Sequence, residues 1–296
     1  MPELPEVEAL AQFLRGRTVG RTLTRVEVAA ISALKTFRPP PTALRGAVVT
    51  DVRRHGKWLD LVVDAPDEGP LHVVWHLSRA GWVRWYETLP ERPARPGRSP
   101  LALRVGLDDG SGFDLTEAGT RKRLAVHVVA DPAQVPQIAT LGVEPLSDAF
   151  TPAVLGELLG RRNQQIKGLL RDQSTIAGIG NAYSDEILLV ARTSPFAPTR
   201  SYDAPRTAAL HAAVREVLAE AVATASGRPA AELKDAKRRG MRVHGRTGES
   251  CPGWDGTPCG DTVHEVSFAD SSLQYCPTCQ TGGRPLADRR MSRLLR

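Results

Sequence analysis

The residues with the most chemical potential stand at the start. Residues 1–8 read MPELPEVE. Once Met1 is removed, Pro2 offers a secondary amine with Glu3 beside it. An α-amino group has a pKa of about 8, against about 10.4 for lysine, so part of it is unprotonated and nucleophilic at neutral pH. Such an amine can attack an electrophilic sugar carbon and form a covalent iminium of the Schiff-base type. The same eight residues also fit a plainer reading, proline in the first turn of a helix with acids at its positive end. Lys57, in RRHGKW, follows a glycine turn and begins a strand. It can hold a phosphate or move a proton near the N-terminal amine, or it is an ordinary solvated lysine.

Two further clusters carry chemistry. Cys251, Cys259, Cys276 and Cys279 are spaced C-x7-C-x16-C-x2-C. Four thiolates around tetrahedral Zn²⁺ make a closed structural site. Between the pairs, Asp261–Phe268 and Gln274–Tyr275 look like two strands of a hairpin, so a zinc ribbon is expected. The metal would fold a segment too small to bury a core alone. The segment GIGNAYSDEIL, residues 178–188, sets two glycines and Asn181 at a helix start. Backbone N–H groups and the Asn181 amide there suit a phosphate, and an ordinary helix hairpin explains the segment equally well. Arg121, Lys122 and Arg123 form either a solvated turn or a wedge facing a groove. His72, His76 and His244 read as structural.

The elements that must position these groups follow from periodicity. Val7, Leu10 and Leu14 mark a first helix. Strand-like runs at 24–28, 47–52, 59–63, 71–77, 101–107 and 124–129 are separated by Gly, Pro and Asp turns and suggest a β-sandwich. Pro132, Pro136 and Pro145 punctuate a linker. Helical patterns follow at 154–159, 166–170, 182–191 and 204–225. Residues 234–246 then hold six Lys/Arg and one Asp. The expected organisation is a sandwich over 1–132, a linker over 133–150, a helical domain over 151–232, and a basic loop with zinc finger over 233–296. A chain of 296 residues, 41% hydrophobic, is long enough for about two cored domains. Its net charge of +6 permits nucleic-acid binding without requiring it. No signal peptide and no run of 18 apolar residues is visible, so a cytoplasmic, nucleoid-associated protein without a membrane span is expected.

MPELPEVE, the Gly56-Lys57 pair, the GIGN turn and the terminal four-cysteine ribbon occur together in order. Together they resemble the formamidopyrimidine-DNA glycosylase/endonuclease VIII family, and the opening resembles the formamidopyrimidine branch. The resemblance implies an α+β multidomain fold: an N-terminal β-sandwich with an N-terminal helix, a helix–two-turn–helix all-α domain and a C-terminal β-hairpin zinc finger. It implies a monomeric, bifunctional DNA glycosylase and abasic-site lyase of base-excision repair, acting on duplex DNA with a damaged or abasic nucleotide. In that scheme Pro2 attacks C1′, Glu3 assists proton transfer, Glu6 supports the terminus, Lys57 binds phosphate and assists elimination, and Asn181 grips a backbone phosphate. The damaged base must leave the stack to be reached.

The chain departs from the family's usual pattern in four places. Where HLGM is common it has His76-Leu77-Ser78-Arg79, putting Arg79 at the gap-filling slot. Where DPRRFG is common it has Thr120-Arg121-Lys122-Arg123-Leu124-Ala125, with Leu124 at the intercalating position. Ser271 replaces an arginine tied to phosphate contact and δ-elimination, and the run 232–243 is short. Lesion recognition is therefore expected to be remodelled. An oxidised purine is the default substrate, and β-elimination is expected without δ-elimination. The competing expectations are a DNA-damage-binding protein without catalysis and a zinc-ribbon adaptor for protein or RNA.

Overall fold

The computed structural model describes residues 1–95, 97, 99–268 and 272–287. Ser271 lies outside the described residues. The chain forms two compact units: Met1–Leu141 with Ala225–Lys234, and Gly142–Thr224 with Asp235–Arg296.

The first unit opens with helix α1 (Leu4–Thr18). Glu3 is its N-cap, and Glu3 and Glu6 exchange backbone and side-chain hydrogen bonds as a capping box. Pro5 in the first turn costs no internal hydrogen bond. Leu4, Val7, Leu10, Ala11 and Leu14 give the helix one buried face. Eight strands follow: β1 (Leu23–Val28), β2 (Val48–His55), β3 (Trp58–Ala65), β4 (Gly69–His76), β5 (Gly81–Tyr86), β6 (Leu101–Leu107), β7 (Gly112–Glu117) and β8 (Ala125–Val129). They make two antiparallel four-stranded sheets, ordered β1-β6-β7-β5 and β2-β3-β4-β8. Alternate residues of both sheets enter one core, where the rings of Trp75 and Phe113 stack at 5.9 Å. The β-sandwich expected from the strand runs is present.

The expected linker is partly built. A 3₁₀ turn (Pro132–Gln134) and a short helix α2 (Pro136–Ala139) carry Val135 and Ile138 onto Trp58, Val74 and Val129, covering the outer face of β3 and β4. Strand β3 is thus buried on both faces, which explains its almost continuous apolar run.

The second unit holds α3 (Pro152–Arg161), α4 (Ile166–Arg171), α5 (Asn181–Val190) and α6 (Ala204–Ala225). Helix α7 (Leu233–Gly240) follows, and β9 (His264–Ser267) pairs antiparallel with β10 (Ser272–Tyr275) before the short α8 (Pro277–Thr281). The boundary expected at residue 232 falls inside a segment that rejoins the first unit. Ala225, Ala230 and Leu233 pack in the sandwich core, and Trp82 Nε1 donates to the Ala230 carbonyl at 2.9 Å. The cysteine module, expected as a separate C-terminal part, belongs to the helical unit. Among the described residues no helix is long and apolar enough to cross a membrane.

Candidate active site and nucleic-acid interface

The start of α1 concentrates charge in a dry place. Pro2 is buried beside the half-exposed Met1, and Glu3 and Glu6 are each 2% exposed. The Glu3 N–H donates to Glu6 Oε2 at 2.9 Å, so the cap holds both carboxylates in fixed positions. One turn further, Glu8 accepts from Arg54 Nε at 2.9 Å, and Arg54 Nη1 donates to the Gly56 carbonyl at 3.0 Å. This bridge ties α1 to the β2–β3 turn. Gly56 is the first central residue of that turn and has φ +55°, a position glycine takes without a steric penalty.

Lys57 is the second central residue and only 7% exposed, so it is no solvated strand-end lysine. His76, paired with Trp58 across β3 and β4, packs on that ring in a tilted arrangement at 4.9 Å. Burial, helped by the nearby Lys57 charge, pushes the His76 pKa down to about 4. Its Nδ1 accepts from the Ser78 N–H at 3.2 Å, which requires the neutral ring. A neutral imidazole therefore sits beside a buried lysine.

Two loops carry the remaining first-unit candidates. After His76 the chain turns through Ser78, at φ +55°, and exposes Arg79. The turn closes with Gly81 N–H donating to the Leu77 carbonyl at 2.8 Å, and a Cβ on Gly81 would lie 2.1 Å from that oxygen. The β7–β8 loop exposes Arg121, Lys122 and Arg123. Its base is pinned by the buried Glu117, whose carboxylate accepts from the Arg123 and Leu124 N–H groups at 2.7 and 3.0 Å. Lys122 Nζ also donates to the Glu117 carbonyl. Leu124 does not occupy an exposed wedge position. Its pinned backbone turns the side chain into the sandwich core, where it is 2% exposed.

In the second unit the GIGN turn precedes α5 as expected. Gly178 has φ +88°, and Gln173 pins the turn by accepting from Gly178 N–H and donating to the Ile179 carbonyl. Asn181 Nδ2 donates to the Ser272 carbonyl at 2.8 Å, coupling the turn to the hairpin, while its shielded Oδ1 has no partner. An amide nitrogen carries two hydrogens, so this contact uses one of them. Beneath the turn, buried Lys167 donates to the Asn181 carbonyl, Ser184 Oγ and Asp185 Oδ1. Asp185 Oδ2 pairs with His244 Nδ1 at 2.8 Å. Glu186 accepts from the backbone N–H groups of Arg242, Val243 and His244. Burial raises its pKa, and those three donors oppose the shift.

The four cysteine sulfurs lie within 4.8 Å of one another. Four ligands at about 2.3 Å from a tetrahedral zinc would stand about 3.8 Å apart, so the cluster suits one metal ion. Gly253, at φ +82°, donates to Cys251 Sγ, which keeps the long Cys251–Cys259 loop close to the sulfurs. Ionising these clustered thiols is unfavourable without a cation: burial and the neighbouring thiols push Cys279 up to about 12. Leu189 and Val243 pack against Cys251 and Cys276, and Gln280 Nε2 donates to the Thr193 carbonyl.

The structure thus brings Pro2, Glu3 and Glu6 together at one helix start and buries Lys57 on a turn bridged to that helix. It gathers the four cysteines and joins Asn181 to the hairpin. Sequence reasoning missed Glu8, Arg54, Asp60, Lys167, Asp185 and Glu186. Their signal was present as charged residues inside apolar runs such as SDEILL, which a soluble domain buries only in pairs.

Comparison with known proteins places this geometry. Residues 1–126 match the formamidopyrimidine-DNA glycosylase N-terminal domain, and residues 141–230 match the formamidopyrimidine-DNA glycosylase H2TH domain. The formamidopyrimidine-DNA glycosylase of Symbiobacterium thermophilum is 36% identical over 292 residues, covering 95% of this chain and 89% of that protein. An uncharacterized formamidopyrimidine-DNA glycosylase-like protein of Mycobacterium tuberculosis is 54% identical over 164 residues, covering 55% of this chain and 99% of that protein. Among solved structures, the MutM (Fpg) protein of Thermus thermophilus superposes with a TM-score of 0.77 at 30% identity, covering 96% of this chain and 100% of that one. The Lactococcus lactis glycosylase bound non-covalently to DNA containing an abasic site gives 0.78 at 25%, covering 94% and 99%. A sandwich led by a capped MPELPEVE helix, a GIGN-started helix and a four-cysteine hairpin, matched along almost the whole length, make this chain a member of the formamidopyrimidine-DNA glycosylase family.

Proposed function

We propose that this chain is a bifunctional DNA glycosylase and abasic-site lyase of base-excision repair, acting on duplex DNA with a damaged or abasic nucleotide. The observation that carries this reading is the burial of Glu3 and Glu6 beside a proline at the helix start, with Lys57 buried on a turn that Arg54 bridges to the same helix. Burying ionisable groups is costly, and stability alone is better served by apolar residues. Such groups gathered in one place mark a functional site.

In the proposed reaction the Pro2 nitrogen, freed by removal of Met1, adds its lone pair to C1′. The C1′–base bond breaks, and the departing base takes a proton supplied through Glu3. Glu6, fixed by the Glu3 N–H, steadies the terminus. The C1′–O4′ bond of the resulting aminal then opens, with a proton delivered to O4′ through Glu3, and the iminium so formed makes the C2′ proton acidic. Its loss expels the 3′ phosphate and nicks the strand, with Lys57 holding phosphate charge. Asn181 holds a backbone phosphate, and Arg79, Arg121, Lys122 and Arg123 contact the duplex. Zn²⁺ held by Cys251, Cys259, Cys276 and Cys279 supplies folding energy to the hairpin and takes no part in the reaction. An oxidised purine is the default substrate.

Borohydride reduction of the iminium tests this directly. Wild type incubated with an abasic-site duplex should give a covalent protein–DNA adduct, and Pro2→Gly should not. No adduct from wild type on abasic, 8-oxoguanine, formamidopyrimidine or oxidised-pyrimidine duplexes refutes the enzyme reading.

A further inference from the structure

Strand β3 carries a carboxylate in an unexpected place. Asp60 is fully buried on the outer face of the β2-β3-β4-β8 sheet, three residues beyond Lys57. His55 Nε2 lies 2.9 Å from Asp60 Oδ2, and His72 Nδ1 lies 2.9 Å from Asp60 Oδ1. An ionised carboxylate only accepts, so both imidazoles donate. Burial would raise the Asp60 pKa, yet the two histidine hydrogen bonds outweigh it and hold the carboxyl below its ordinary value.

The location gives the network its meaning. His55 and Trp58 are the paired residues that close the Gly56-Lys57 turn. Asp60 fixes the His55 side through its carboxylate. His76 and His127 flank the Trp58 ring at 4.9 and 5.7 Å and fix the other side. Arg54 holds the Gly56 carbonyl between them. Both stems of the turn are therefore immobilised by side chains that do nothing for the sandwich core, whose residues point the opposite way. A hydrophobic pair at Asp60 and His72 would cover the sheet at lower desolvation cost.

We propose that Asp60 is a positioning residue for Lys57, acting through His55 to hold the turn that aims the lysine ammonium at a DNA phosphate. The proposal rests on the reading of Lys57 given above.

A double-mutant cycle with two readouts tests it. The first is single-turnover nicking of an abasic-site duplex, and the second is the dependence of binding to that duplex on salt concentration. His55→Leu and Asp60→Asn should each slow nicking about tenfold, the scale expected for a misplaced group. His55→Gln, which keeps a donor near the Nε2 position, should stay within about twofold of wild type. Losing one phosphate contact should lower the salt slope by about 0.9 in His55→Leu and Lys57→Ala alike. With Lys57→Ala in place, His55→Leu should change neither readout further. Equal losses with and without Lys57, or a wild-type salt slope in His55→Leu, overturn the proposal. If wild type binds with the expected slope but never nicks, the lyase reading fails while the positioning role is still decided by binding. Thermal melts of each variant identify any loss due to unfolding, and His55→Gln then decides the outcome.

Discussion

Lowering the pH should destabilise the first unit through one identifiable residue. His76 has a pKa of about 4 in the folded chain, against about 6.5 when unfolded. The unfolded state therefore takes up a proton over a range in which the folded state refuses it. Stability from this residue is fully present above pH 6.5 and falls as the pH drops toward 4. Linkage between the two values gives a loss of about 2 kcal/mol between pH 7 and pH 5, and about 3 kcal/mol at most below pH 4. The geometry gives the same direction. Protonated Nδ1 cannot accept from the Ser78 N–H, and a charged ring would be shielded from water and repelled by the nearby Lys57 ammonium. The assay is urea unfolding followed by tryptophan fluorescence at pH 7 and pH 5, for wild type and His76→Gln. Four of the five tryptophans, Trp58, Trp75, Trp82 and Trp85, lie in the first unit, so the signal reports mainly on it. Other titrating groups contribute equally to both proteins and cancel in the difference. Wild type should lose about 2 kcal/mol more than His76→Gln on acidification. Equal losses in the two proteins would refute the assignment of a part-buried neutral His76.

Three other outcomes follow from particular contacts. Asp114→Ala should cost about 3–5 kcal/mol by urea unfolding, because it strands Arg104. That pair is bidentate at 2.8 Å and nearly buried, and a loss below about 1 kcal/mol, the scale of an exposed pair, would contradict this. Gly81→Ala should destabilise by about 1–3 kcal/mol through its clash with the Leu77 carbonyl and lower DNA affinity by disturbing the Arg79 turn; an unchanged melting temperature would argue against that geometry. Elemental analysis should find one zinc per chain, and Cys276→Ser should abolish it, speed amide exchange across β9 and β10 and weaken binding to an abasic-site duplex; full binding by the metal-free variant would remove the hairpin from the interface.

Much of the fold is legible in the residues alone. Helix α1 follows from Val7, Leu10 and Leu14, and α6 is bounded correctly at 204–225 because nothing in it interrupts helical periodicity. The spacing of the paired cysteines already groups the four sulfurs that the fold gathers. Strand β7 escapes sequence reasoning because GFDLTE places Asp114 in its centre, a poor strand former that is held there by Arg104 on the neighbouring strand. No local pattern reveals a partner ten residues away. Strand β5 escapes it for lack of a clear alternation across Trp82, Arg84 and Trp85. Helix α7 reads as a basic loop because its charges dominate its composition, although Leu233 and Ala236 already offer an apolar stripe. The Leu124 expectation fails for a similar reason. Its direction is set by Glu117, seven residues earlier, through a backbone contact that no motif encodes. At the candidate site the sequence supplies Pro2, Glu3, Glu6 and Lys57 but not the Glu8–Arg54 bridge, which joins residues 46 positions apart.

The segment 225–234 gives this molecule an unusual indivisibility. The polypeptide passes from one unit to the other near residue 141, returns at 225 and leaves again after 234. A fragment ending at 141 would keep every sandwich strand yet lack Ala225, Ala230 and Leu233, and the Trp82 indole would lose its acceptor. The two halves are stitched, not threaded like beads. A nick within 225–234 would sever the segment that supplies Ala225, Ala230 and Leu233 to the sandwich core, and dissecting the protein at residue 141 would yield a truncated sandwich with an open seam.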